Sequence, residues 1–259
     1  MNGEMMQAAA DVAVIEYCRK TGKILTEQKE NPSERVFHFL DGRETDEYEK
    51  WIKWVNDDGI RKMILYPNMP KILERRKQLG FLGAFVVIQP VFHANGSMTF
   101  WQNRFEFQKE EKRWKIDAVE REWKNGPTEL ITFPGKPETG PFLQALRNGA
   151  AFCDKIEVPD WKKVFERSIA MLTIPDYDFA GSNVHKYFAL YEKILPHENL
   201  RLLAASASAF VFGAMGSWND GPAGKAEAMG CKEEYDKVSE EILFGCVANL
   251  TYAVNHSQA

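Results

Sequence analysis

The stretch that decides the fold runs from Gly83 to Trp123: GAFVVIQPVFH (83–93), ANGS (94–97), MTFWQNRFEFQ (98–108), KEEK (109–112) and RWKIDAVEREW (113–123). The first segment is rich in β-branched and aromatic residues, which suit a pleated, half-buried surface. Asn95-Gly96 tolerates the positive φ angles of a type I′ turn, so 83–93 and 98–108 read as paired strands. Lys109–Lys112 turns the chain again, and 113–123 reads as a third strand. Pro90 has no N–H to give a ladder, which predicts that the first strand lies at a sheet edge or carries a bulge. Glu129–Phe133 (ELITF) is a fourth candidate, and Arg35–Leu40 (RVFHFL) a fifth. Together they make an antiparallel meander of about three to five strands.

Period two divides the middle strand into two faces. Trp101, Asn103, Phe105 and Phe107 share one; Gln102, Arg104 and Glu106 share the other, with Met98 and Phe100 further back. The second face changes from apolar to Gln-Arg-Glu. That is either a strand leaving its core, the default for such a sheet, or a groove where a partner docks.

On either side of the meander the pattern is helical. Residues 1–25 place Val12, Ile15 and Cys18 at near-helical spacing. Thr45 is a candidate N-cap for a segment in which Tyr48, Trp51, Ile52 and Val55 make one apolar face. Lys71–Leu79 is a further helix candidate. After the Pro- and Gly-rich loop 134–141, five helices are expected: Pro141–Cys153, Asp160–Leu172, Asn183–Leu195, His197–Gly216 and Cys231–Val254. Strands gathered in one half and helices in the other point to α+β architecture. One domain over 1–259 is the leading reading, with a subdivision into 1–134 and 141–259 as the alternative.

The composition excludes several classes. Of 259 residues 44% are hydrophobic and 27% charged, which is globular and not disordered. The net charge of −4 argues against general nucleic-acid binding. Basic and acidic residues balance at 21 each through residue 130, and the remaining 12 against 16 place the whole excess in the helical half. The N-terminal stretch has no basic region followed by an apolar one, so no secretory signal is expected. The uncharged runs Phe81–Asn103 and Leu202–Asn219 are too broken or too short for a membrane span. The four cysteines (18, 153, 231, 246) have no metal-ligand spacing and read as buried apolar filler. A cytoplasmic protein is expected, with no membrane partner.

Catalytic signatures are missing: there is no G-x-G-x-x-G, Walker A, G-x-S-x-G or H-E-x-x-H. No catalytic residue, metal site or cofactor is therefore assigned. The carboxylate pairs Asp57-Asp58, Glu110-Glu111, Glu233-Glu234 and Glu240-Glu241 have basic neighbours and read as solvated faces. The remaining unusual segment is Phe210–Pro222, FVFGAMGSWNDGP. It follows a run of Ala and Ser (204–209) whose small side chains let a neighbouring helix approach. Trp218 can anchor a helix–helix corner; alternatively Trp218, Asn219 and Asp220 form a recognition surface.

The stretch FGAMGSWND (212–220), followed by a helix with Tyr235, Val238 and Leu243 and a closing AVN (253–255), resembles the C-terminus of uncharacterised bacterial proteins. Some of these are similar to immunity proteins of polymorphic toxin systems. The resemblance covers about residues 200–255, under a quarter of the chain, and the second Gly of the pattern FGGMG is Ala214 here. It implies a non-catalytic protein that binds a protein partner, a cognate toxin. The partner-binding candidates are Trp218, Asn219 and Asp220, then Gln102, Arg104 and Glu106. Two alternatives stand beside it. One is an enzyme or ligand-binding protein with a pocket between sheet and helices, marked by convergence of His185, Asp220 or Glu106. The other is a subunit of a homo-oligomer that associates through the small-residue helix.

Overall fold

From Val87 onward, alternation builds a sheet. The computed structural model describes residues 3–25, 34–67, 87–124, 136–179, 185–213 and 216–256. The meander is β5 (Val87–His93), β6 (Met98–Gln108) and β7 (Arg113–Glu122), antiparallel throughout. The hairpin turns at Asn95-Gly96, but only Gly96 takes a positive φ (+85°) and Asn95 does not, so the turn is not the expected type I′. Four shorter strands complete the sheet: β1 (Glu34–His38), β2 (Glu44–Thr45), β3 (Ile60–Met63) and β4 (Tyr66–Pro67). The order is β2-β1-β7-β6-β5-β3, with β4 also on β5. β1 runs parallel to β7, so the sheet is mixed and not purely antiparallel. The helix candidate Lys71–Leu79 and the strand candidate Glu129–Phe133 lie outside the described residues, as does Ala214.

Of the two readings of Pro90 the edge position fails, because β5 is an inner strand, while its pairing with β3 does carry a bulge. On its far side it pairs first with β3 and then with β4, and Pro90 falls at the break between them. There its carbonyl accepts from the Ile64 N–H at 3.0 Å. The bulge in this pairing lies elsewhere, between Ile60 and Lys62. Next to the break Leu65 is completed by a side chain. Asn255 Oδ1 accepts from the Leu65 N–H at 2.8 Å and Asn255 Nδ2 donates to the Leu65 carbonyl at 2.9 Å. A carboxamide offers the same donor and acceptor as a peptide group, so it substitutes for a neighbouring strand.

Eight helices are found among the described residues. α1 (Gly3–Thr21) and α2 (Tyr48–Asp57) lie against the sheet; α3 (Thr139–Lys155), α4 (Pro159–Thr173), α5 (His185–Ile194), α6 (His197–Ala209), α7 (Gly221–Ala228) and α8 (Lys232–Asn255) follow. The chain is therefore α+β, with the helices mostly in the second half. Thr45 does not cap α2. It sits in β2, where its hydroxyl accepts from the Glu47 N–H, and α2 begins at Tyr48. α2 still buries Trp51, Ile52 and Val55 as its spacing predicts.

α1 packs against β3, β5 and α2 on one side and against α5 and α8 on the other. That explains a helix buried all round, with Ala8, Ala9, Ala10 and Ala13 keeping it thin enough to fit. On the inner sheet face Phe37, Phe39, Trp51 and Trp101 make an aromatic cluster, Phe37 stacking on Trp51 at 4.5 Å. Beyond α1, helices α3, α4, α6 and α8 pack as a ring of four, each against two others. Two glycines set the α3–α8 spacing. A Cβ on Gly149 would stand 2.7 Å from Ile242 Cδ1, and one on Gly245 would enter the Phe142 ring. A single hydrophobic cluster runs from Met5 to Val254 through both halves of the chain.

Candidate functional site

The six candidate residues fall into two separate layers. Gln102, Arg104 and Glu106 sit on the outer face of the sheet, away from α1 and α2. Arg104 and Glu106 are exposed and Gln102 is half-buried, while Trp101 and Asn103 on the opposite face are buried. Cross-strand register sets Arg104 opposite Asp117 and Glu106 opposite Lys115. Such unlike pairs are favourable across a strand pair. The face is therefore a lattice of alternating charge, continued on β7 by an ion pair of Lys115 with Asp117 (3.4 Å) and toward β1 by one of Arg113 with Glu34 (2.8 Å). Towards the other end of β6 it becomes aromatic, where Phe100 meets Trp123 and Trp123 meets Tyr66.

Trp218, Asn219 and Asp220 lie in the helical bundle. The helix expected over 197–216 ends at Ala209; Phe210–Gly213 leaves it, and Gly216 adopts φ +81°, which a helix cannot hold. The loop closes on itself through Trp218 N–H to the Val211 carbonyl (3.2 Å) and Gly216 N–H to Asp220 Oδ2 (2.8 Å). Trp218 is 0% exposed. Its indole N–H donates to Ser239 Oγ at 2.8 Å, and its carbonyl accepts from the Tyr235 hydroxyl at 2.9 Å. Its ring meets Phe165 and Trp161 edge-on and stacks on Tyr235. Trp218 thus locks α4 to α8, and its side chain is out of reach of any partner on the folded surface. Asn219 is half-buried and Asp220 exposed.

Composition and motifs did not point to two further features. At the turn end of β6 and β7 the cross-strand pair Phe107 and Trp114 is 47% and 49% exposed, the rings 5.2 Å apart. Period two would have placed Phe107 in the core; the strand instead runs past the helices that cover its neighbours. The second feature is a buried charge. Asp11 on α1, 0% exposed, accepts from Arg35 (Nη1, 2.8 Å), Tyr48 (3.1 Å), Gln89 (3.0 Å) and Gln7 (3.3 Å), while Arg35 also donates to Asn103. The signal was an acid inside an apolar helical run. This cluster lies between the sheet and α1, and its members bond to one another. His185 on α5, Glu106 on the outer sheet face and Asp220 before α7 belong to separate elements.

The run Leu202–Ala209 is buried by the chain's own helices, α6 packing on α4 and α8. The four cysteines are free and buried. Burial pushes the Cys153 thiol up to about 12 and raises those of Cys18 and Cys246. All three are held as neutral thiols, poor nucleophiles. Among the described residues no group of three His, Cys, Asp or Glu is placed to hold a metal ion, and no helix is long and apolar enough to cross a membrane.

Comparison with known proteins returned no match to a family model, to a curated protein or to a solved structure.

Proposed function

We propose that this chain is a non-catalytic protein of the bacterial cytoplasm that binds another protein, and that the partner is a cognate toxin which it neutralises. The observation that carries the binding reading is the exposed Phe107–Trp114 pair at the end of the β6–β7 hairpin. Large aromatic rings supply most of the energy at protein interfaces, surrounded by a polar rim that sets register. The charged face, with Gln102, Arg104 and Glu106 on β6 and Lys115 and Asp117 on β7, lies on the opposite side of the sheet and is a separate candidate contact. Asn219 and the exposed Asp220 remain candidates for a second contact. The toxin class rests on the C-terminal resemblance of residues 200–255.

Co-expression with the product of the adjacent gene, followed by pull-down and calorimetry, tests this reading. The two proteins are expected to co-purify. Phe107→Ala with Trp114→Ala is expected to weaken the complex at least about tenfold with no loss of thermal stability, because both rings are half exposed. Full binding by the double variant would remove this surface from the reading. No binding by any neighbouring product would remove the immunity assignment.

A further inference from the structure

We propose that Asn95 is a latent modification site: its side chain can close on Gly96 with loss of ammonia, and the turn it sits in holds that reaction shut while the chain is folded. Asn-Gly pairs cyclise readily because glycine has no side chain to shield its amide nitrogen. The chain has four such pairs, at 2–3, 95–96, 125–126 and 148–149. Asn95-Gly96 is exposed at the tip of the β5–β6 hairpin, whereas Asn148-Gly149 lies inside α3. The reaction joins the Gly96 backbone nitrogen to Asn95 Cγ. The Cγ–Nδ2 bond breaks, the proton of the Gly96 N–H leaves with that nitrogen as ammonia, and a cyclic imide remains. Water then opens the imide at either carbonyl, giving aspartate or isoaspartate at position 95.

Three hydrogen bonds oppose the first step. Gly96 N–H donates to the His93 carbonyl at 3.1 Å, so the proton that must leave is held. Asn95 Oδ1 accepts from the Ser97 N–H at 2.9 Å and from the Ser97 hydroxyl at 2.7 Å, an Asx-turn that ties the carboxamide to residue 97. Ring closure needs the side chain free to rotate toward the Gly96 nitrogen, and both bonds resist that rotation. The two donors also polarise Cγ, a gain that counts only once the Gly96 nitrogen is free to attack. The turn itself is anchored, His93 N–H donating to the Ser97 carbonyl at 3.1 Å and Ala94 N–H to the Gly59 carbonyl at 2.8 Å. Crowding plays no part, since a Cβ added at Gly96 would meet nothing within 4 Å.

The two products differ in consequence. Aspartate keeps an acceptor for Ser97 and adds one negative charge. Isoaspartate routes the main chain through Cβ, which lengthens the turn and carries the Gly96 N–H away from the His93 carbonyl. His93 is joined to Thr99 at 3.0 Å and Thr99 donates to Glu120 at 2.7 Å, so the change falls on the strand ends that these bonds tie together. This inference concerns the hairpin tip alone and does not depend on the protein-binding reading.

Peptide mapping by mass spectrometry tests it, with the full chain incubated at one mildly alkaline pH in buffer and in unfolding urea. Deamidation at Asn95 is expected to be at least about tenfold slower in buffer, the scale of three hydrogen bonds that must open first. Ser97→Ala removes one donor at an exposed position, where the fold tolerates the change. It is expected to raise the Asn95 rate in buffer about two- to fivefold, the scale of one such bond. The Asn95 rate in urea and the Asn148 rate in buffer are expected to stay unchanged in that variant. A parallel rise at Asn148 would show that the whole chain opens and would overturn the local gate. Equal Asn95 rates in buffer and urea, or no response of Asn95 to Ser97→Ala, would overturn the proposal as well.

Discussion

At Trp218 one side chain does three things: it fills the α4–α8 junction, donates to Ser239 and stacks on Tyr235. Trp218→Phe keeps an aromatic ring but loses the N–H and part of the volume. It is expected to cost about 1–3 kcal/mol in urea unfolding. Asp11 is more demanding, because it carries charge in the core. Asp11→Asn leaves the Arg35 guanidinium without its counter-ion and is expected to cost about 3–5 kcal/mol, read from the same unfolding midpoints. Adding Arg35→Met should recover much of that, since an apolar pair avoids the desolvation that a lone buried charge suffers. Trp218 beside its glycines stood out in the sequence, whereas Asp11 inside an apolar run did not. Their partners, Ser239, Tyr235, Arg35 and Gln89, come from distant segments, and no local pattern names them.

At the scale of elements, periodicity carried most of the information. β6 spans Met98–Gln108, matching its alternating segment, and α4 and α8 fall within a residue of their expected bounds. The exceptions have physical reasons. β2, β3 and β4, of two to four residues, are too short to show a period. α7 has small residues and no apolar stripe. α6 stops at Ala209 because positive φ at Gly216 and the Trp218 turn redirect the chain, which composition alone read as more helix. Element packing also hangs on two glycines whose role no periodicity reveals. Gly245→Ala is expected to destabilise by about 1–3 kcal/mol, because its Cβ meets the Phe142 ring. Gly149→Ala should cost less, because Ile242 Cδ1 is the end of a flexible side chain. A cycle of Gly245→Ala with Phe142→Leu should show a coupling of about 0.5–3 kcal/mol, since the smaller side chain makes room.

For the whole molecule the decisive object is α1, wedged between the sheet and the helical ring. Its sheet side holds Asp11 and accommodates Gln89 and Arg35; its other side meets α5 and α8. Asn255, at the C-terminal end of α8, completes the backbone of Leu65. Neither half buries its apolar surface without the other, so unfolding is expected in one cooperative transition. Far-UV circular dichroism and tryptophan fluorescence should give coincident urea curves. Two separated transitions would show that the sheet half and the helical half unfold independently.

The sequence by itself determined the α+β class, the meander with its Asn95-Gly96 turn, the polar face of Gln102, Arg104 and Glu106, and the position of most helices. These are local properties: hydrophobic period and turn chemistry act over a few residues and are written in consecutive positions. Tertiary structure alone decided that β1 joins β7 in parallel, that Pro90 lies inside the sheet, and that Trp218 faces the core while Phe107 and Trp114 face solvent. Burial and pairing depend on which distant segment arrives opposite a residue. That is set by the packing of the whole chain, and no window of neighbouring residues contains it.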